Sequence, residues 1–208
     1  MLNKQGFNLW ADDYDKTVQS SEENDSYPFA GYKTILNIIF NEVMQKQNSK
    51  VIDIGFGTGV LTSKLYDNGH QIDGVDFSDK MIDIAKTKMP KANLIEWDIT
   101  NGLPPEFKEK KYDFIVSTYS LHHLSDEEKI MFLKQLISLL RENGKILIGD
   151  IAFENREKLE LCQKDNIGHW DNDEFYLVYE EIKSVLIKVC NCDFYPISHC
   201  GGVFVLST

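Results

Sequence analysis

Apolar and polar positions along the chain follow two periods, which predict short strands separated by helices. Strands are predicted at 50–56, 71–77, 92–99, 111–120 and 145–152, with helices at 60–69, 78–89 and 126–143. A mostly helical, acidic and aromatic section follows at about 153–189, and residues 192–207 predict two strands joined by a bend at Pro196 or at Gly201–Gly202. Strands that alternate with helices at this spacing are typical of a doubly wound α/β sheet. We expect it to be mostly parallel, with one antiparallel C-terminal strand.

The segment VIDIGFGTGVL (51–61) places Gly55, Gly57 and Gly59 directly after a predicted buried strand. Glycine permits positive φ in a tight turn and lets a ligand approach the backbone. In doubly wound sheets, ligands lie beyond the carboxyl ends of the strands, where the strand order reverses. The turn is no P-loop, because no Lys-Ser or Lys-Thr follows it, and Val60 stands where a dinucleotide-binding GxGxxG would have its third glycine. The orientation of Phe56, between the first two glycines, is left open by the sequence.

Acidic residues stand at or near the ends of three successive predicted strands. Asp53 precedes the glycine turn, Asp76 ends GVDFS, and Asp98 lies in EWDIT. A carboxylate in the position of Asp76 can accept both hydroxyls of a ribose, but dinucleotide enzymes use the same device. Asp98 is a feature that dinucleotide sites do not require. Taken singly, Asp76 is also compatible with a helix cap and Asp98 with a turn.

In this order, Asp53, GxGxG, Asp76 and Asp98 resemble the class I S-adenosylmethionine-dependent methyltransferases, and the resemblance spans roughly residues 50–150. It implies a Rossmann-like seven-stranded sheet with S-adenosylmethionine as cofactor, its methionine part over the glycine turn. Phe77 and Met81 would cover the adenine, and Asp98 with Ile99 would meet its amino group. The complete set of expected cofactor-binding residues is Asp53, Gly55, Gly57, Gly59, Asp76, Phe77, Met81, Asp98, Ile99, Ser117 and Tyr32.

The methyl acceptor is expected near the end of the fourth strand, in STYSLHHLSD (117–126). The Asn/Asp-Pro-Pro-Tyr motif of methyltransferases that act on planar nitrogens is not there, nor is a Pro-Cys nucleophile. The continuation LHHL looks like that of small-molecule methyltransferases. His122 or His123 is a candidate base near neutral pH, or a residue that only fixes the loop. The sequence does not name the acceptor or the atom that is methylated.

The N-terminal segments NLWADDYDKTV (8–18) and YPFAGYKTIL (27–36) resemble a helical lid that covers the cofactor in small bacterial methyltransferases of unassigned substrate. Tyr14 and Tyr32 would then face the sulphonium or the acceptor, where aromatic faces suit a cation; plain packing is the alternative. We divide the chain into a lid at 1–48, a cofactor-binding core at 49–152, and substrate-side helices with the strand pair at 153–208. In the last part, Trp170, Asp171 and Tyr176 would line the acceptor pocket, or residues 169–181 would form a surface helix capped by Asn172 or Asp173.

Composition narrows the function. The formal charge of −11, from 33 acidic and 22 basic residues, disfavours binding to nucleic acids or anionic membranes. No apolar run is long enough for a signal peptide or a membrane span, so a cytoplasmic protein is expected. Four cysteines without zinc-type spacing predict no metal site. Two alternatives to a methyltransferase remain, namely a cofactor-binding protein without turnover and a nicotinamide-dependent oxidoreductase, the latter disfavoured by Val60 and Asp98. Oligomeric state is not predicted.

Overall fold

The computed structural model describes residues 26–208. The candidate lid residues Trp10 and Tyr14 lie outside this range. The described chain forms one predominantly parallel sheet with helices on both faces. Its helices are α1 (Tyr32–Val43), α2 (Thr62–Asp67), α3 (Asp79–Lys88), α4 (Asp126–Ser138), α5 (Arg156–Asp165) and α6 (Tyr179–Leu186). Its strands are β1 (Lys50–Ile54), β2 (Gln71–Asp76), β3 (Asn93–Glu96), β4 (Tyr112–Thr118), β5 (Leu140–Phe153), β6 (Leu177–Val178), β7 (Asn191–Pro196) and β8 (Gly201–Ser207).

The sheet has the strand order β3-β2-β1-β4-β5-β8-β7, with the two-residue β6 paired to the end of β5. The strands from β3 to β5 are mutually parallel, whereas β8 runs antiparallel to both of its neighbours. The predicted doubly wound α/β sheet with one antiparallel C-terminal strand is therefore confirmed. Strand order reverses between β1 and β4, which places the predicted ligand position above these two strands.

Alternate residues of each strand pack on opposite faces of the sheet. In β1, for example, Val51 joins a core with α1 and α3, while Ile52 and Ile54 join a core with α4 and α6. Helix α1 packs on β5 and β8, and its Ile35 fills the space left by Gly149, where a Cβ would lie 2.3 Å from the Ile35 side chain. No helix among residues 26–208 is sufficiently long and apolar to cross a membrane.

Two sequence-based boundaries are wrong. The helix predicted at 126–143 ends at Ser138, because Leu140 already pairs with Tyr112 at the start of β5. The alternative surface helix at 169–181 does not form as such. Leu177 and Val178 pair with β5 instead, and helix α6 begins only at Tyr179.

Candidate functional site

The three glycines of the turn after β1 all adopt positive φ, of 73° at Gly55, 55° at Gly57 and 77° at Gly59. A Cβ on Gly55 would lie 2.4 Å from the Cβ of Ser120, and one on Gly59 would lie 3.0 Å from Met89. Within residues 26–208, nothing lies within 4 Å of a Cβ built on Gly57. Gly55 and Gly59 thus permit packing within the protein, and of the three glycines only Gly57 faces space that no described residue fills. Both reasons that the sequence analysis gave for these glycines, a tight turn and room for a ligand, therefore apply in the turn, and contact of the three glycines with the cofactor stays a prediction.

Phe56 lies on the other side of this turn and is 5% exposed. Its ring packs against β2, where a Cβ on Gly74 would come within 2.8 Å of it. The ring of Phe56 therefore points into the core, where it supports the turn, and it does not narrow the open side.

Asp76, at the end of β2, holds the glycine turn in place. Its Oδ2 accepts from the backbone N–H of Gly57 at 2.8 Å, and its Oδ1 accepts from that of Ser78 at 2.9 Å. Burial raises the pKa of this carboxyl to about 6, although hydrogen bonds from backbone N–H groups lower it. Each carboxylate oxygen can accept further hydrogen bonds, so the position is compatible with a bound ribose.

Asp53 is buried in β1 directly before the turn. Its Oδ2 accepts from the hydroxyl of Thr62, whereas its Oδ1 accepts no hydrogen bond from the described residues. Burial raises the pKa of this carboxyl to about 7, and the nearby charge of Asp76 adds to the effect. Burying a carboxylate oxygen that accepts no hydrogen bond lowers the stability of the fold, unless a ligand or water donates to it.

The residues expected around an adenine follow β2 and β3. Met81 is 3% exposed on α3, and Phe77 and Ile99 are half-buried. Asp98 is exposed and caps a single 3₁₀ turn, its Oδ1 accepting from the backbone N–H of Thr100 at 2.9 Å. Its adenine contact remains a prediction.

Directly after β4, three aromatic side chains pack together. Tyr119 adopts φ of 51°, and its ring centroid lies 5.2 Å from those of both Phe29 and Tyr32. We call Phe29, Tyr32 and Tyr119 the aromatic cover. The hydroxyl of Ser117 is buried and donates to the carbonyl of Ile54 at 3.0 Å, and its cofactor contact stays a prediction.

His122 lies between two carboxylates. Its Nδ1 is 2.6 Å from Oδ1 of the buried Asp150, and its Nε2 is 3.6 Å from Oε1 of Glu174. Burial lowers the pKa of His122, but the charge of Asp150 and its hydrogen bond outweigh burial, so the pKa is raised overall. Nδ1 of His123 lies 3.9 Å from the same Glu174 oxygen. Burial, aided by the charge of His122, lowers the pKa of His123 to about 2, so its imidazole is neutral near pH 7.

Segment 169–176, which has no helix or strand, closes over these histidines. The ring of Trp170 stacks on that of Tyr27 at 5.3 Å and meets Tyr176 edge-on at 4.7 Å. The Tyr176 hydroxyl donates to Glu174 Oε2 at 2.9 Å. Trp170 and Tyr176 therefore pack with Tyr27 beside the histidines, and the side chain of Asp171 accepts from the backbone N–H of Asp173. That the three residues line the acceptor pocket stays a prediction.

Sequence reasoning missed Asp150, Glu174 and Lys129. Lys129 of α4 is buried, and its ammonium donates to the carbonyl of Phe175, which fixes segment 169–176 on α4. Burial lowers the pKa of this lysine. For Asp150, its position at the end of the predicted fifth strand was a usable signal. Glu174 and Lys129 gave none, because their roles depend on contacts between distant segments.

Comparison with known proteins identifies related chains. Residues 51–144 match a family described as a methyltransferase domain. An uncharacterized methyltransferase from Alkaliphilus oremlandii is 35% identical over 186 residues, which cover 89% of this chain and 82% of that protein. A second, from Anoxybacillus flavithermus, is 39% identical over 155 residues, which cover 74% of this chain and 69% of that protein.

Solved structures share the fold at low sequence identity. Magnesium protoporphyrin IX methyltransferase from Synechocystis PCC 6803, with bound SAH, superposes with a TM-score of 0.68 at 16% identity, covering 99% of this chain and 100% of that one. A DhpI-SAM-HEP complex superposes with a TM-score of 0.70 at 17% identity, covering 97% of this chain and 94% of that one.

Proposed function

Because the chain belongs to the class I S-adenosylmethionine-dependent methyltransferases, we propose that it transfers the methyl group of this cofactor to a small-molecule acceptor. The observation that carries the acceptor class is the aromatic cover, Phe29, Tyr32 and Tyr119, whose rings pack together directly after the carboxyl end of β4. Aromatic side chains beside the expected acceptor position suit a small acceptor better than a nucleic acid strand or a folded protein.

The residues around the glycine turn fit the cofactor. Gly57 leaves open space where the backbone must be approached closely, and Asp53 Oδ1 is a buried acceptor that a cationic ligand can satisfy. We propose that Asp53 faces the methionine ammonium group and that Asp76 accepts the ribose hydroxyls. Phe77 and Met81 would cover the adenine ring, with Asp98 and Ile99 at its edge.

When bound, S-adenosylmethionine supplies a sulphonium methyl group with its leaving group already in place. The chain's own residues then have to orient the acceptor and exclude water. In this proposal Tyr32 and Tyr119 do so from the cover side, and their ring faces suit a cation. A base is needed only if the acceptor loses a proton. His122 and His123 remain candidates for that role, with His123 held neutral and His122 fixed by Asp150.

We also propose the division into a lid at 1–48, a core at 49–152 and a substrate side at 153–208. The acidic charge supports an acceptor other than a nucleic acid or a membrane lipid. None of the four cysteines, all of them in the described part of the chain, forms a disulfide, which supports a cytoplasmic location.

The test is a methyl-transfer assay with radiolabelled S-adenosylmethionine. A cell extract is divided by ultrafiltration into small metabolites and retained macromolecules, and label is followed in each fraction. We expect label in a small metabolite, lost in Gly57→Val and retained in the matched variant Gly168→Val, whose exposed glycine has open space around it. Label only in the macromolecules would overturn the acceptor class. Cofactor binding by calorimetry without any transfer would instead favour a binding protein without turnover.

A further inference from the structure

Three potential metal ligands meet beside the aromatic cover, although the sequence predicts no metal site. His122, His123 and Glu174 each place one ligand atom within 4.8 Å of the others. Glu174 Oε1 is the common neighbour, 3.6 Å from His122 Nε2 and 3.9 Å from His123 Nδ1. Zinc bonds of about 2.0–2.2 Å in a tetrahedron separate neighbouring ligand atoms by about 3.3–3.6 Å. The two distances to Glu174 Oε1 lie within or a few tenths of an ångström beyond this range, and all three ligand atoms lie within 4.8 Å of one another.

Two of the three ligands, His122 and Glu174, are oriented by a further contact. Nδ1 of His122 pairs with Asp150, whose two oxygens also accept from the backbone N–H groups of Ile151 and Leu121 at 2.8 and 3.1 Å. This leaves His122 Nε2 turned toward Glu174. Metal-binding histidines characteristically donate their other ring N–H to a carboxylate in this way.

Glu174 is held just as firmly. Its Oε2 accepts from the Tyr176 hydroxyl, which leaves Oε1 turned toward the imidazoles. The backbone N–H of Phe175 donates to the carbonyl of His122 at 2.8 Å, so the two ligand segments are joined directly. The side chains of His123 and Glu174 are 21% and 18% exposed, which provides an entry path.

We propose that His122, His123 and Glu174 bind a divalent first-row transition ion, with zinc as the reference ion. Two imidazoles and one carboxylate are a donor set that zinc accepts, and three protein ligands leave a position for water. This site goes beyond the proposed function, and its binding test does not depend on methyl transfer.

The test uses the full chain after chelation, titrated with Co²⁺ alone and then with Zn²⁺. We expect one Co²⁺ per chain, with the intense visible bands of four-coordinate cobalt, and displacement by Zn²⁺ measured by calorimetry. Glu174→Gln keeps an acceptor for Tyr176 but removes the anionic ligand, and should weaken Co²⁺ binding at least tenfold. His123→Asn should do the same and leaves the His122–Asp150 pair intact.

Two control variants distinguish Co²⁺ binding at this site from Co²⁺ binding elsewhere on the chain. Glu181→Gln removes an exposed carboxylate that pairs with Arg156, and should leave Co²⁺ affinity unchanged. Cys190→Ser with Cys192→Ser removes two thiols, one directly before β7 and one within it, and should also change nothing. No saturable binding, binding unaffected by Glu174→Gln, or a thiolate-to-cobalt band that disappears in the cysteine variant would each overturn the proposal.

Discussion

Gly57 and Gly55 lie in the same turn and both adopt positive φ, yet a substitution at Gly55 should mainly lower stability and one at Gly57 should mainly lower cofactor affinity. Alanine in this conformation costs about 1–2 kcal/mol of folding free energy at either position. At Gly55 the added methyl also overlaps Ser120, so the main loss should be stability. At Gly57 the methyl enters the open space that we assign to the methionine part of the cofactor. We therefore expect Gly57→Ala to fold and to bind S-adenosylmethionine at least tenfold more weakly, as measured by calorimetry.

Gly69→Ala is the matched control for this prediction. Gly69 has φ of 87°, and a Cβ there would make only an ordinary contact with Asn48, at 3.7 Å. The variant should carry the same backbone strain, seen as a lower Tm, with unchanged cofactor affinity. Equal affinity losses in the two variants would mean that strain, and not the position of Gly57, explains the effect.

Asp53 makes cofactor affinity depend on pH. Burial raises its pKa to about 7, so the free protein gains a proton there as pH falls through that value. Burial favours the neutral form of the Asp53 carboxyl in the folded protein. Its contribution to the free energy of unfolding is therefore complete below the unfolded pKa of about 4 and is lost as pH rises toward 7. A cationic methionine ammonium group favours the ionised form, so binding at lower pH must expel the proton.

We accordingly expect the affinity for S-adenosylmethionine to fall by up to about tenfold per pH unit below pH about 7, and to level off above it. Calorimetry in two buffers of different ionisation enthalpy should detect release of the proton. Asp53→Asn should bind more weakly at neutral pH and lose most of the pH dependence. A wild-type affinity that stays constant across this range would remove Asp53 from the ammonium site.

At the scale of elements, segment 169–176 depends on α4. Replacing the buried Lys129 by Gln withdraws the ammonium that donates to the Phe175 carbonyl, which should lower the free energy of unfolding by about 1–3 kcal/mol. Hydrogen exchange should rise in residues 171–176 in particular. Lys134→Gln, an exposed substitution on the same helix, should change neither quantity. If protection in 171–176 is the same in both variants, Lys129 does not anchor the segment.

The same elements show what a sequence can and cannot predict. The strand–helix alternation and the glycine turn were predicted because each is set by residues close together along the chain. Glu174 and His122 are neighbours only because β6 pairs with the end of β5, which is a contact between distant segments. The role of Gly55 likewise depends on Ser120 after β4. Neither contact leaves a local pattern in the sequence, so neither could be predicted from it.

For the whole molecule, the charge of −11 acts together with the buried Asp53 and Asp76. S-adenosylmethionine carries one net positive charge through its sulphonium, whereas S-adenosylhomocysteine carries none. The long-range field should therefore attract the first and not the second. The Debye screening length falls from about 10 Å at 0.1 M salt to about 3 Å at 1 M. This attraction should therefore weaken over that range.

We expect S-adenosylmethionine to lose affinity a few-fold between about 0.1 and 1 M monovalent salt, with a smaller change for S-adenosylhomocysteine. The product is the matched control, because it shares every contact except those of the transferred methyl group and its charge. Parallel salt dependences would show that the acidic surface does not contribute to cofactor binding. A steeper salt dependence for S-adenosylmethionine would show that the anionic protein attracts the sulphonium charge. Methyl transfer removes this charge, so the attraction is lost at the moment when the product has to leave.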